Sequence, residues 1–305
     1  MTAVEPTASD DLFTGNRRLL FSVAYQMLGS VADAEDAVQD AWLRWSAADR
    51  SAVADPRAYL VRITSRLALD RLKAAHTRRE SYVGPWLPEP LMAGAVPVAA
   101  GGSPADPGEA AEVAEQVSLA MLVVLESLAP AERAVFLLRE VFGMSFGEVA
   151  TALDRSEAAV RQMAHRARGH VQARQPRFTA DRREQREVTE RFLAAAVSGD
   201  VESLLAALAP GVVLLADGGG KVTAARRPIV GADKVARFLA AVAPLGADLP
   251  ALRVELTDVN GAPAVVAWTD EGPFMALQLV LEDGLVQQVL YVANPDKLAG
   301  LVVPS

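Results

Sequence analysis

The chain has 305 residues, a formal net charge of −8 and no cysteine. Its length predicts about two domains or three small ones, and the lack of cysteine excludes disulfides, zinc–thiolate sites and cysteine nucleophiles. No apolar run approaches the roughly 18 residues of a membrane span, and no basic-then-apolar leader opens the chain, so we expect a soluble, cytoplasmic protein.

The acidic balance argues against nucleic-acid binding only if the charges are evenly spread. They are not. Residues 155–177 hold six arginines and two histidines against one acid, Glu157, whereas acids collect between Asp33 and Asp40. The sequence therefore predicts a locally basic helix on an acidic protein.

Residues 10–80 are predicted to form three helices. Apolar residues recur at helical spacing in the first, and the second, from Val31 to Trp45, has an acidic face opposite an apolar stripe. The third begins at Asp55-Pro56, a capping residue followed by a proline suited to the first helical position. The acidic face fits either a solvated surface or a protein-docking surface.

The nonapeptide YVGPWLPEP (82–90) comes next, and its three prolines exclude a continuing helix or a central strand. Exposed aromatic side chains reduce solubility, so Tyr82 and Trp86 are expected to be covered. Either the C-terminal domain or the core of the first helical module can cover them. Together with an Ala-, Gly- and Pro-rich stretch, the nonapeptide predicts a linker over 81–111.

Residues 112–175 are predicted to be helical, and the last part of this segment predicts a helix-turn-helix. A short helix from Ser145 to Leu153 leads into a tight turn, and Ser156 can cap a second helix whose exposed face is basic. The alternative is an ordinary helical hairpin with a solvated basic face.

Residues 185–305 are predicted to form an α+β domain. Two helices precede an apolar strand (212–216), the sharp turn DGGGK (217–221) and a helix near 231–243. Alternating apolar residues and Asn-Gly and Asp-Gly turns then predict a curved antiparallel sheet, and the whole suggests a cone with an interior pocket. Candidate acid–base or pocket residues are Asp217, Asp258, Asp270, Trp268 and Tyr291, each of which also fits a structural role.

A family resemblance adds to this interpretation. AEDAVQDAWLRW and DPRAYLVRITSRLALDRL resemble region 2 of bacterial extracytoplasmic-function (ECF) sigma factors, and LAPAERAVFLLREVFGMSFGEVATALDRSEAAVRQMAHRAR resembles their region 4. The short motifs YVGPWLPEP, DGGGK and NPDKL (294–298) resemble the ECF41 group, whose C-terminal extension is similar to SnoaL/NTF2-like domains. The implied fold is two all-α modules, over 10–80 and 112–175, followed by an α+β domain over 185–305.

The resemblance implies a role for each set of matching residues. The helix carrying Asp36, Gln39, Asp40 and Arg44 would bind the beta-prime clamp of RNA polymerase core. Contacts to the promoter −10 element would come from Tyr59, Arg62, Arg66 and Arg71. The −35 element would be read by Ser156, Arg161, Gln162, His165, Arg166 and Arg168. Many ECF factors carry Asn where this chain has Arg66, which leaves the −10 contact at that position open.

The linker motif suggests regulation in cis, because a proline-stiffened segment loses little entropy when it binds a groove. We expect Tyr82, Trp86, Leu87 and Pro88 to dock on the C-terminal domain. Asp217 and Lys221 would fix the glycine turn, and Asn294, Asp296 and Lys297 would grip the linker backbone.

The sequence thus predicts an alternative sigma factor that needs no catalytic residue, cofactor or metal ion. Two other functions fit parts of the pattern. One is a ligand-sensing, one-component DNA-binding regulator with an unidentified small molecule in the third domain. The other is a SnoaL-like isomerase or cyclase fused to a DNA-binding module.

Overall fold

The computed structural model describes residues 8–79, 81–92, 117–174, 181–246 and 249–301. They divide into two compact units. The helical unit takes residues 8–79, 117 and 124–173, and the C-terminal unit takes 81–92, 118–123, 174 and the described residues from 181 onward. The segments 81–92 and 118–123, which lie before and within the region 112–175 expected to be helical, thus belong to the C-terminal unit.

Helices alone make up the regular structure before residue 175 in the described part of the chain. They are α1 Ala8–Leu28, α2 Val31–Ala47, α3 Pro56–Arg79, α4 Leu119–Glu126, α5 Pro130–Phe136, α6 Phe146–Leu153 and α7 Glu157–Arg174. Short 3-10 and π-helical turns cover Arg50–Ala52 and Leu137–Val141. No helix in the described ranges is long and apolar enough to cross a membrane.

The two predicted helical modules pack into one unit. Helix α3 contacts α1 and α2 as well as α5 and α6. A partly buried ion cluster joins these parts: Glu126 accepts hydrogen bonds from Arg79 and Arg133, and Arg133 also donates to the carbonyl oxygen of Gln26 at 2.9 Å. Because the Arg133 side chain is 1% exposed, removing one partner would leave an uncompensated buried charge.

The C-terminal unit is built on one six-stranded sheet. Its elements are α8 Arg182–Ser198, α9 Val201–Ala207, β1 Leu208–Asp217, β2 Ile229–Val230, α10 Ala232–Gly246, β3 Arg253–Val259, β4 Ala262–Thr269, β5 Gly272–Glu282, β6 Leu285–Val292 and α11 Pro295–Leu298. The strand order is β2-β1-β6-β5-β4-β3.

The sheet is mixed, which corrects the expectation of a purely antiparallel sheet. Strand β1 runs parallel to β6, with Leu214 opposite Val289, and the other pairs are antiparallel. The parallel pair arises because β1 is followed by the glycine turn, β2 and α10 and does not enter a hairpin with the next long strand. The predicted α+β order of helices followed by a curved sheet is confirmed.

Both faces of this sheet are buried, which decides where the linker lies. On one face, Val265 and Leu277 pack against α8 and α10 through Phe192 and Leu239. Side chains alternate along a strand, so the neighbours of Val265 in β4 point the other way. These residues join a second apolar cluster: Leu87, Leu119, Ala120, Val259, Ala264, Val266, Trp268, Ala276, Val280, Leu290, Val292, Leu298 and Leu301.

Candidate functional site

The linker motif lies on the second face of the sheet. Leu87 has no exposed surface and sits in the apolar cluster around Val266 and Trp268. Pro88 is buried as well, and Tyr82 and Trp86 are half-buried. The alternative, in which these residues complete the core of the first helical module, is not what the structure shows. Burying a leucine of this kind contributes about 1.5–3 kcal/mol.

The carboxylate of Asp217, at the end of β1, is the centre of the polar contacts. Its Oδ1 accepts hydrogen bonds from the Tyr82 hydroxyl at 2.6 Å and from the amide of Gly219 at 3.1 Å. Its Oδ2 accepts the amide of Leu87 at 2.8 Å and the ammonium of Lys297 at 2.6 Å. One buried side chain thus fixes the glycine turn and binds the linker backbone.

Lys297, in α11, neutralises that carboxylate and binds the linker from the other side. Its ammonium also donates to the carbonyl oxygen of Leu87, so both backbone polar groups of Leu87 are satisfied. The same nitrogen lies 3.9 Å from the ring centroid of Trp86 and 4.9 Å from that of Tyr82. Aromatic faces attract a cation, which accounts for two aromatic residues in this linker.

The glycine turn permits a close approach that no other residue type allows. Gly219 has φ +60°, and a Cβ placed there would lie 2.3 Å from the side-chain nitrogen of Asn294. That nitrogen donates to the Tyr82 hydroxyl at 2.8 Å, while the Asn294 oxygen caps α11 by accepting the amide of Asp296. We call Tyr82, Leu87, Asp217, Asn294 and Lys297 the Asp217 cluster.

The environment of Tyr82 changes its acidity. Desolvation, followed by the hydrogen bond to Asp217 and the charge of that carboxylate, raises the pKa of Tyr82 well above its ordinary value of 10.0. The neutral phenol is therefore the form that the Asp217 cluster holds.

Lys221 and Asp296 lie beside the Asp217 cluster, and their contact differs from the expected one. They pair with each other at 2.6 Å, and both side chains are more than half exposed. This pair links the glycine turn to α11. The expected grip on the linker backbone comes from Lys297 and Asp217.

Sequence reasoning missed a second attachment of the linker. The side-chain oxygen of Asn260 accepts the amide of Leu91 at 3.0 Å, the amide of Asn260 donates to the carbonyl oxygen of Leu91 at 2.8 Å, and Met92 pairs with Val259. The Asn260-Gly261 pair gave only a hairpin signal. Residues 81–92 therefore form part of the C-terminal unit, and the rest of the expected linker, 93–111, lies outside the described residues.

The residues expected to contact polymerase lie on α2 and are partly paired with α3. Gln39 and Arg44 are exposed. Arg71 donates to Asp40 at 2.6 Å and to Asp36 at 3.4 Å. Arg71, expected at the −10 element, is thus engaged with the acidic face of α2.

The other residues expected at the −10 element share the N-terminal half of α3. Tyr59 is half-buried against Trp45, with ring centroids 5.9 Å apart, and the guanidinium of Arg62 lies 4.9 Å from the Tyr59 ring centroid. Arg66 reaches α6, where it donates to the carbonyl oxygens of Thr151 and Ala152, each at 2.8 Å.

The helix-turn-helix is formed by α6 and α7. Ser145 and Glu148 form a capping box at the start of α6, which satisfies two amides that lack intrahelical partners. Asp154 ends α6 with φ 54°, and the Ser156 hydroxyl accepts the amide of Ala159 at 3.2 Å. These local contacts set the tight turn between the two helices.

The exposed face of α7 presents the residues expected at the −35 element, and its arginines are already partnered. Arg161 pairs with Glu157 and also stacks 4.5 Å from the ring centroid of Phe146, with Arg139 at 4.7 Å from the same ring. Arg166 pairs with Glu132, and Arg168 pairs with Glu140. Gln162 and His165 on the same face are exposed.

A capped helix-turn-helix with a basic second helix, together with an acid-faced helix and an α+β unit, defines a multi-domain DNA-binding protein. Comparison with known families identifies its helical parts. Sigma-70 region 2 matches residues 12–78, and Sigma-70, region 4 matches residues 118–171.

Whole-length relatives agree with these two matches. The ECF RNA polymerase sigma factor SigJ of Mycobacterium tuberculosis is 41% identical over 298 residues, covering 94% of this chain and 92% of the relative. The probable ECF RNA polymerase sigma factor SigI of the same species is 33% identical over 286 residues, covering 93% and 92%. The crystal structure of SigJ matches with a TM-score of 0.72 and 37% identity, covering 94% of this chain and 97% of that one.

The chain therefore belongs to the ECF RNA polymerase sigma factors. It is an RNA polymerase-associated transcription initiation factor, and the expected family and the expected role in transcription initiation are confirmed.

Proposed function

We propose that this sigma factor directs promoter-specific initiation through its region 2 and region 4 helices, and that its C-terminal unit regulates it in cis by holding the connection between them. One observation carries the proposal. Leu87 and Leu119 precede and follow the segment 93–116, and both are buried in the same apolar cluster of the C-terminal unit.

Fixing both ends of the segment between regions 2 and 4 restricts the distances at which the two regions can bind DNA at the same time. A free linker raises the effective concentration of the second binding event once the first has formed, and geometry that forbids simultaneous engagement removes that gain. A C-terminal unit that binds residues 81–92 and 118–123 limits the reach of the two regions. Undocking of residues 81–92 would restore the full reach.

The promoter roles follow the helices of the helical unit. Exposed groups of α2, such as Gln39 and Arg44, are proposed to bind the polymerase clamp. The N-terminal half of α3 is proposed to bind the opened −10 strand, where extruding a base costs a few kcal/mol. The exposed face of α7 is proposed to enter the major groove at −35, with Arg161 and Gln162 offering donors to base edges.

The C-terminal unit is proposed to act without catalysis, in the cytoplasm. Asp217, the candidate acid–base residue that is fully buried, already accepts four hydrogen bonds and pairs with Lys297. Trp268, the candidate pocket residue, is buried in the second apolar cluster and donates to the carbonyl oxygen of Leu301 at 3.2 Å. Asp217 holds the linker, and Trp268 holds the backbone at Leu301.

Transcription in vitro with core RNA polymerase tests the proposal. The template is a promoter selected from a random library by the wild-type holoenzyme, and the variant is Trp86→Ala. Removing the Trp86 contact with Lys297 is expected to change promoter output about threefold or more, since a partly desolvated cation–π contact is worth about 1–2 kcal/mol.

The matched control is Phe274→Ala, because Phe274 is an exposed aromatic residue, 40% accessible, on the same unit. It should leave promoter output unchanged. Equal output from wild type and Trp86→Ala would remove the regulatory claim. Failure of the wild-type chain to support any promoter-specific initiation would remove the sigma function of this chain and favour a polymerase-independent DNA-binding regulator.

A further inference from the structure

A small cavity lies between the linker motif and the glycine turn of the C-terminal unit, beside the Asp217 cluster. Its volume is about 280 Å³. The linker contributes Val83 and Gly84, β1 contributes Ala216, and the rest of the wall comes from residues 218 and 220–226. All of these residues belong to the C-terminal unit. We call this space the Arg226 cavity.

The linker wall and the turn wall of the Arg226 cavity are in contact. A Cβ placed on Gly220 would lie 3.1 Å from the Cβ of Val83, and one placed on Gly84 would lie 3.7 Å from the Cα of Arg226. Undocking of residues 81–92 would therefore remove one wall of the cavity. A molecule that fills the cavity contacts the linker and the glycine turn at the same time.

The wall of the Arg226 cavity is basic, although acids outnumber bases in residues 185–305. Lys221 and Arg226 line the cavity, and no acid occurs between residues 218 and 232. The carboxylate of Asp217, which precedes this segment, has no exposed surface and pairs with Lys297. Lys221 pairs with Asp296 where both side chains are exposed, so a small anion can compete for that lysine.

The backbone of the Arg226 cavity supplies hydrogen-bond donors as well. Lys221 and Val222 donate their amides to the carbonyl oxygen of Gly218, whereas the amides of residues 223–226 have no hydrogen-bond partner within the described ranges. Backbone amides in turns form concave sites for anions, and a guanidinium binds a phosphate through two parallel hydrogen bonds. This set of donors suits an anion with several oxygen atoms.

We propose that the Arg226 cavity binds a small phosphorylated ligand, and that this ligand stabilises the docked linker. Arg226 and the backbone amides bind the phosphate, and Lys221 turns to it from Asp296. The cavity volume of about 280 Å³ equals that of roughly nine water molecules in the liquid, which suits a phosphate on one sugar ring. The inference rests on the proposed regulation in cis and adds a ligand class to it.

The binding test is calorimetric titration of the full chain with ribose 5-phosphate and with inorganic phosphate, at constant ionic strength. Arg226→Ala should weaken binding of both about tenfold or more, because charge-assisted hydrogen bonds are lost. Arg227→Ala is the matched control: Arg227 is exposed, follows Arg226 directly and does not line the cavity. Asp296→Asn should tighten binding, because it releases Lys221.

Three outcomes of this titration overturn the proposal. The first is that neither compound binds the wild-type chain up to about 10 mM, weaker than the usual affinity of a specific site. The second is that Arg226→Ala and Arg227→Ala bind with equal affinity. The third is that Arg226→Ala weakens holoenzyme binding to promoter DNA and leaves ribose 5-phosphate binding unchanged, which would assign Arg226 to a DNA contact.

The coupling test follows the exchange of the Leu87 amide, which is hydrogen-bonded to Asp217. A ligand that binds only the docked linker protects this amide by mass action, so ribose 5-phosphate at ten times its Kd should slow the exchange about tenfold. Binding without slower exchange overturns the link to the docked linker. Promoter output of Trp86→Ala tests the proposed regulation separately, because that measurement needs no phosphorylated ligand.

Discussion

The ammonium of Lys297 lies 2.6 Å from the carboxylate of Asp217, whose side chain has no exposed surface. Breaking such a buried pair by removing one charge is costly, because the other charge stays desolvated. Asp217→Asn should lower the free energy of unfolding of the C-terminal unit by about 3–5 kcal/mol, measured by urea denaturation of the full chain. Asp296→Asn is the control: its pair with Lys221 is exposed, so it should cost roughly 0–1 kcal/mol. An equal loss of free energy of unfolding in the two variants would contradict the role of Asp217 as the main stabilising group of the cluster.

The approach of Gly219 to Asn294 predicts a steric variant. Gly219→Ala places a methyl group 2.3 Å from the Asn294 side chain at a φ of +60°, so Asn294 must move and release Tyr82. Amide exchange of Leu87, whose hydrogen is bonded to Asp217, should become about tenfold faster. Gly211→Ala meets nothing within 4 Å and should leave that rate unchanged. An unchanged amide exchange rate of Leu87 in Gly219→Ala would show that linker docking does not depend on the glycine turn.

The raised pKa of Tyr82 predicts a loss of stability at high pH. The folded state holds the phenol proton above pH 10, where the unfolded chain releases it, so the free energy of unfolding falls as pH rises beyond 10. Tyr82→Phe should be less stable than wild type at pH 8 and should lose less stability from pH 9.5 to 11. Thermal unfolding at fixed ionic strength measures how the stability of wild type and of Tyr82→Phe changes with pH. The same change in both proteins would show that Tyr82 is not the titrating group.

The stacking of Phe146 against Arg161 predicts an effect on −35 reading. Phe146→Ala frees the Arg161 guanidinium to adopt other rotamers, so the preference for the selected −35 sequence over a single-base variant should fall about fivefold, within the usual 1–3 kcal/mol of a base contact. Transcription from the two templates by the reconstituted holoenzyme gives the ratio. Phe146→Tyr keeps the ring and should keep the preference. If Phe146→Ala lowers both outputs equally, the ring has only a structural role.

Local signals in the sequence predicted much of the fold. The short helix predicted from Ser145, the cap at Ser156, the Asn260-Gly261 turn and the alternating strands each depend on neighbours a few residues away, and the structure has them at these places. The parallel pairing of β1 with β6 depends on contacts about 75 residues apart, which no local pattern specifies.

The packing of the linker left one signal in the sequence. Strand β4 reads APAVVAWT, apolar at almost every position, and such a run is typical of a strand buried on both faces. The run therefore predicts that other residues pack on both faces of β4, although it does not show that Leu87 and Leu119 are among them. The contacts of Glu126 with Arg79 and Arg133 left no signal, because charged residues in helices are ordinarily solvated.

The bond from Lys297 to the carbonyl oxygen of Leu87 spans 210 positions. On the ribosome, at roughly 5–20 residues per second, about 10–40 s therefore separate synthesis of the proline-rich motif from synthesis of its binding site. From residue 171 onward, the nascent polypeptide carries complete region 2 and region 4 sequences without the lysine that secures the motif. A protein that stops before Pro295 would remain permanently in that condition.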